Sequence, residues 1–351
     1  MTESARTLHE RRARLFERLE AEPWAHDFYA VLREIESLSP GTPRLGRALR
    51  PGAEPLRLGQ DPELDFAPAA LMSFRPAAGG QKAPRLGARF FGLFGPMGPL
   101  PLHITEYARD RLRNHGDATF ARFADMFHHR ALLLFYRAWA QSQPAVHADR
   151  PADDQFAKWV SALFGQAPAE LRRADAVPDA AKRFAAGHLA RPTRNPESIA
   201  KVLRQYFGVP IRVESYVGHW LTLRTEDRSR LGHRSAALGV SAVAGAKVWD
   251  RQYKLRLHFG PLTLAQYRRF LPGQQALIEL RDWMRQLLGF DMLWDLQLVL
   301  KGAEVPALGL GPPAANGPML GRSAWLGRST PHSDRGDLRL NPSRFVASHP
   351  H

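Results

Sequence analysis

Apolar positions recur along this 351-residue chain with two periods, and each change of period marks a change of element. Leu8, Leu15, Phe16 and Leu19 form one helical stripe. Phe28, Val31, Leu32 and Ile35 form a second at i, i+3, i+4, i+7, with Pro23 breaking the two. Both stripes are narrow and backed by Arg and Glu. That pattern suits a bundle, and the spacing fits a partner's bundle and a hairpin on the chain's own core equally. Between Ser39 and Pro84, prolines at 40, 43, 51, 55, 62, 68, 76 and 84 forbid long helices and leave Leu56-Arg57-Leu58 as a short strand. Leu86 to Phe94 reads as a longer one. Asp117 is placed to cap a helix through Trp139. Phe120, Phe123, Phe127, Ala131, Leu134 and Trp139 line one side of it, and Leu132, Leu133 and Tyr136 widen the apolar face to nearly the whole circumference. A helix so apolar is expected at the centre of the core. Asp153-Asp154 start a further helix carrying Phe156, Trp159 and Val160.

Asn195-Pro196 opens the second half with a capping residue followed by proline at the first helical position. Ile199, Val202, Leu203 and Tyr206 follow at helical spacing, Gly208 ends the helix, and Val209 to Val213 switches at once to period two. Tyr253 to Phe259 alternates without error, Leu277 to Leu288 is an amphipathic helix, and Leu296, Leu298 and Leu300 make another strand. Thr225 to Gly245 is loop-like. From Ala303 onward Pro and Gly return, and the last twenty residues read as poorly ordered.

Two distant passages echo one another. Phe94-Gly95-Pro96-Met97-Gly98-Pro99-Leu100, running on to Tyr107, has a shorter counterpart in Phe259-Gly260-Pro261-Leu262, running on to Tyr267. Each leads from a strand, through a Gly-Pro-Leu corner, to a helix. The predicted fold is α+β: a helical arm over 1–38, a first unit over 39–194 around the central apolar helix, a second over 195–328, and a flexible tail over 329–351. The echo raises the expectation that the two units are related.

Composition narrows the function. No cysteine is present, which excludes disulfides, thiolate nucleophiles and Cys-based zinc sites. The first 22 residues are densely charged with no apolar run, and no stretch is long and apolar enough to span a bilayer, so a soluble cytoplasmic protein is expected. The net charge is +15, from 49 basic and 34 acidic residues. No basic block exceeds the pairs Arg11-Arg12, Arg172-Arg173 and Arg268-Arg269. Scattered charge favours surfaces that meet acidic protein partners, with nucleic-acid or polyanion binding as the alternative.

Candidate chemistry is thin. Gly92 to Gly98 lacks the Gly-Lys-Ser/Thr ending of a phosphate loop, and its prolines remove N–H groups a phosphate would need. His128 and His129 have no HExxH or HxxxH spacing and read as a partly buried pair. Ser329, His332 and Asp334 have the residue types of a triad but sit in a Gly/Pro/Ser tail without a nucleophile elbow. No catalytic, metal or cofactor residues are assigned.

Several ordered blocks resemble one known family. His26 to Glu36 looks like its opening helix, and Phe90-Phe91-Gly92-Leu93-Phe94-Gly95-Pro96-Met97-Gly98-Pro99-Leu100-Pro101 is similar to its most recognisable signature. Tyr206 to Pro210, Gly260-Pro261-Leu262, Phe270 to Gly273 and Leu320 to Gly327 match later blocks in order. The family is TssG, also called ImpH or VasB, a baseplate subunit of the bacterial type VI secretion system. The resemblance implies a structural role in a contractile injection system: assembly with two copies of TssF, with TssE and with TssK into a wedge, six of which form a baseplate around the spike, with spike and sheath–tube components as indirect partners. It implies no cofactor and no catalytic residue, and recruitment to the inner-membrane-anchored apparatus. The partner-contacting candidates are Phe28, Leu32 and Ile35 on the second helix, and Arg228, Arg230, His233 and Arg234 in the basic loop. Loops Ser73–Ala83 and Thr225–Ala246 are the expected TssK-binding elements.

Overall fold

The computed structural model describes residues 3–77, 83–230, 232, 236–306, 319–325 and 333–342. The chain forms two compact units, Met1–Ala157 and Lys158–His351.

Unit 1 begins with α1 (Glu3–Ala21) and α2 (Phe28–Ser37), the latter capped by the Asp27 carboxylate, which accepts the Ala30 N–H at 2.9 Å. Three short strands follow: β1 (Arg57–Gln60), β2 (Leu71–Arg75) and β3 (Arg85–Ala88). They form a sheet of order β1-β3-β2, with β1 parallel and β2 antiparallel to β3. Then come α3 (Leu102–Arg113), the long α4 (Thr119–Gln141) and α5 (Pro144–Ala148). Leu15 and Leu19 of α1, Phe28, Leu32 and Ile35 of α2, Leu58, Leu71 and Leu86 of the sheet, and Leu132, Leu133 and Tyr136 of α4 pack into one core. The amino-terminal helices are therefore part of this unit's own core and not a separate arm. Of the two packings their stripes allowed, the structure has the internal one. The helix α6 (Gln155–Ala162) carries the chain from unit 1 into unit 2. The boundary thus falls well before the Asn195-Pro196 step expected from the sequence.

Unit 2 opens with two short helices, α7 (Asp179–Phe184) and α8 (Ala186–Leu189), and then α9 (Pro196–Phe207). Asn195 caps α9 by accepting the Ser198 N–H at 2.7 Å, and Gly208 ends it with φ 67°. β4 (Ile211–Glu214) pairs with β7 (Lys254–Leu262), and between them β5 (His219–Thr222) and β6 (Lys247–Asp250) form a separate two-stranded ribbon. From β7 the chain passes through α10 (Leu264–Arg269) and α11 (Gln275–Leu288) into β8 (Leu293–Leu300), parallel to β7. The last strand, β9 (Arg335–Leu340), pairs antiparallel with β8 and completes the order β4-β7-β8-β9. The core lies between this sheet (Leu257, Phe259, Leu296, Leu298) and the helices (Leu203, Phe207, Leu277, Trp283, Met284).

The α+β class holds, with mixed helices and small sheets. Two further expectations are corrected. Leu86–Phe94 is a strand only as far as Ala88, because the chain then enters a glycine-rich loop. Residues 335–340, expected in the flexible tail, form a core-sheet strand, because Leu338 and Leu340 supply the alternation that packs against β8.

Candidate partner-binding surfaces

The loop bearing the first Gly-Pro-Leu corner is held from below. The Gln60 side chain at the end of β1 donates to the Phe94 carbonyl at 2.6 Å and accepts the Phe94 N–H at 2.7 Å. The amide thus reproduces, through one side chain, the pair of bonds a neighbouring strand would make. Gly92 lies so close that a Cβ there would meet Gln60 Oε1 at 2.3 Å, and its φ is 145°. Phe94 is buried against Phe120 and His128. The Thr105 hydroxyl of α3 accepts the Gly95 N–H, and His128 Nε2 accepts the Leu93 N–H at 3.0 Å. The loop reads as a fixed structural turn. Beneath it, buried Arg85 bridges Asp61 (2.8 Å) and Asp125 (3.0 Å), and Asp125 also receives Arg122, His128 and the Gln60 N–H. These charge-assisted bonds hold the Asp125 carboxyl below its ordinary range against the opposing effect of burial.

One face of α4 is covered by this network and by the core, and the other is exposed among the described residues. Phe123, Phe127, Arg130, Leu134 and Ala138 fall at i, i+4, i+7, i+11 and i+15 and are all exposed, with Met126 beside them. Phe123 and Phe127 touch edge to face at 5.6 Å, and Phe120, one turn before Phe123, touches exposed Tyr107 of α3. The helix is apolar on both sides, as its sequence shows, but only half of that surface is core. Alongside Met126 opens a cleft of ≈ 820 Å³ lined by Ala48, Leu49, Glu54, Arg122, His129 and Leu133 among others. Burial pushes the Glu54 carboxyl up from its ordinary value. Burial, then Arg57, pushes the His129 ring down to about 4, so it is neutral at pH 7 and accepts the Leu58 N–H at Nδ1.

Unit 2 carries its own aromatic surface. Trp220 of β5 and Trp249 of β6 sit directly opposite in register, ring centres 5.3 Å apart, and both are more than half exposed. Tyr216 and Tyr253 flank the ribbon and are exposed as well. Aromatic groups left in water at this density make these two faces the candidate contact surfaces.

The expected contact residues divide. Phe28, Leu32 and Ile35 are 2%, 0% and 0% exposed within unit 1's core and are not available as a docking stripe. Arg230 is exposed, and Arg228 is half-buried, donating to the Leu223 carbonyl at 3.3 Å. His233 and Arg234 lie outside the described residues, as do Ser329 and His332, while Asp334 accepts the Gly302 N–H at 3.0 Å. The basic loop begins where the tryptophan ribbon ends, so Arg228 and Arg230 adjoin that surface in sequence. No cluster of three metal-ligating side chains occurs among the described residues, and no helix among them is long and apolar enough to cross a membrane.

Comparison with known proteins gives this surface a context. A chain of a type VI secretion TssK-TssF-TssG baseplate subcomplex, solved by cryo-electron microscopy, matches over 65% of this chain and 94% of its own, with 21% identity and a TM-score of 0.51. A chain of a type VI secretion baseplate complex matches over 94% of this chain and 92% of its own, with 24% identity and a TM-score of 0.63. These likenesses establish the shared fold. No curated protein matches the sequence. The family model for type VI secretion TssG matches residues 22–327, which takes in most of both units, with the Gln60-clamped signature loop and the tryptophan ribbon, and the chain belongs to the TssG family.

Proposed function

We propose that this chain is a structural wedge subunit that bridges two copies of TssF, together with TssE, to TssK trimers in the type VI secretion baseplate. The observation that carries the reading is the uncovered aromatic surface of each unit, on α4 in unit 1 and on the β5–β6 ribbon in unit 2. Exposed aromatic side chains grouped in this way are what an interaction surface offers. Support comes from membership of the family and from the fold shared with chains of baseplate assemblies.

In this reading the chain works by contact and uses no cofactor or covalent chemistry. Segments 73–83 and 225–246 are the candidate TssK elements; the first begins inside β2, which takes in Ser73–Arg75, so only its later part joins β2 to β3, and the second joins β5 to β6. TssF and TssE take other faces, and the assembled wedge joins the inner-membrane-anchored apparatus from the cytoplasm.

Co-expression of the full chain with TssF and TssK, followed by tandem purification and native mass spectrometry, tests the proposal. A complex with two TssF per chain is the expected result. Recovery of the chain alone, equally soluble and equally stable without partners, overturns it. Shortening 225–246 is expected to lower the number of bound TssK trimers while leaving TssF bound.

A further inference from the structure

We propose that the outward face of α4, with the cleft beside it, is the seat of an acidic amphipathic helix from another protein of the assembly. The inference rests on the reading of this chain as an assembly subunit and assigns a chemistry to one of its surfaces.

The shape fits a helix. From Phe123 to Ala138 the exposed row runs about 22 Å at 1.5 Å per residue, some four turns. Its i, i+4, i+7, i+11 spacing is that of a helix-packing seam. Phe123, Met126, Phe127 and Leu134 are 55%, 62%, 58% and 47% exposed, so each offers substantial apolar area to a partner. On the Met126 side, the cleft walled by Ala48, Leu49 and Leu133 has room for large apolar side chains from the occupant.

The sign of the occupant follows from the arginines. Arg130 lies within the row, and Arg122 and Arg137 lie along α4 beside it. Arg130 and Arg137 both donate to the Gly46 carbonyl, and neither has a carboxylate within ion-pair distance among the described residues. Arg122 shares its one carboxylate, Asp125, with Arg85. Acidic flanks on the docked helix would complete these half-matched cations, as charge complementarity at an interface rim requires.

Two other occupants are disfavoured. Antiparallel pairing of the row with a second copy would set Arg130 against Arg130 near the symmetry axis. The chain's own segments outside the described residues contain no Asp or Glu, so none supplies an acidic helix.

The test uses the full chain in its purified complex. Phe127→p-benzoylphenylalanine and, separately, Leu134→p-benzoylphenylalanine are photo-cross-linked and the captured peptide sequenced. The expected product is an amphipathic segment of net negative charge from another chain. A product from a second copy, from a basic or non-helical segment, or no product overturns the inference, as does binding of anionic vesicles that competes with the cross-link. The double variant Phe127→Asp with Leu134→Asp should lose about tenfold or more in affinity for that partner with Tm unchanged, as truncated anchors do. Arg130→Glu should lose less, and only at low salt. Unchanged affinity in both sinks the assignment. A complex that still assembles without this contact refutes the α4 seat alone; no complex at all refutes the assembly reading with it.

Discussion

The two Gly-Pro-Leu passages share letters and diverge in outcome. Phe94 and Phe259 are both buried, yet Tyr107 is 54% exposed and Tyr267 is 0% exposed. In unit 2 the Gly-Pro-Leu triplet stays inside β7, and α10 starts one residue later behind a complete capping box of Thr263 and Gln266. Tyr267 is therefore set over the sheet, where its hydroxyl, held protonated by burial, donates to the Arg322 carbonyl at 2.7 Å. In unit 1 residues 89–101 separate β3 from α3, and Tyr107 emerges on the surface. Strand order also differs: β8 returns parallel to β7 after the helices, whereas no strand of unit 1 follows α3 and α4. What the passages share is a need for close backbone approach. Gly92 fits against Gln60, and Gly260 fits against the Val299 carbonyl, which a Cβ would meet at 2.4 Å. A repeated corner is a repeated local solution, and the strand orders argue against duplicated units.

The sharpest way to break this comparison is Gly260→Ala, which adds a methyl against backbone at φ 138° and should cost about 4 kcal/mol, read by urea unfolding. A loss under about 1 kcal/mol would show that the approach is not needed. Gln60→Ala tests the other corner. It strands the Phe94 N–H and carbonyl in a buried loop, with an expected loss of about 2–3 kcal/mol.

Acid should distinguish the units next. His129 is depressed in the folded state, so its contribution is complete above pH 6.5 and declines as pH falls toward about 4, where the unfolded ring takes up a proton and the folded one does not. Screened at a half-buried ring, the effect is about 2 kcal/mol. Glu54, raised by burial, acts in the opposite sense, so the clean measurement is the difference between the native chain and His129→Gln in Tm across that window. In unit 2, Asp295 is depressed by Arg256 and Lys254 against burial, and its loss begins only below the ordinary aspartate value of 3.8.

Tyr267→Phe should cost about 1 kcal/mol by removing the bond to Arg322. Tyr107→Ala should change stability by no more than about 0.5 kcal/mol yet weaken complex formation measured by co-purification. Equal destabilisation by changes at the two tyrosines would erase the contrast.

Elements with strong local signals were legible from sequence. Asn195-Pro196 and Gly208 bracket α9 at both ends, and the perfect alternation of Tyr253 to Phe259 marks β7. The α4 helix was also evident, but its outer face was not, because periodicity reports which side chains are apolar and not which chain covers them. Phe123 and Leu134 read as core for that reason. β2, β5 and β6 are only four or five residues long, too short for alternation to stand out. Gln60 carried no signal, since its role depends on a loop thirty-odd residues downstream meeting the end of β1. Of the contact candidates, the stripe on α2 failed because a helix stripe looks the same against its own core as against a partner's.

The pairing of β9 with β8 bears on how the chain avoids sticking to itself. β8, Leu293–Leu300, is dominated by apolar residues, and without β9 its outer row of N–H and carbonyl groups would be an open template for any passing strand. β9 covers that row and presents Arg335, Asp337 and Arg339 along its own length, charges that discourage a further strand from adding. A chain cut before Ser333 would thus carry an adhesive sheet edge, and precipitation or edge-to-edge pairing would be its first symptom.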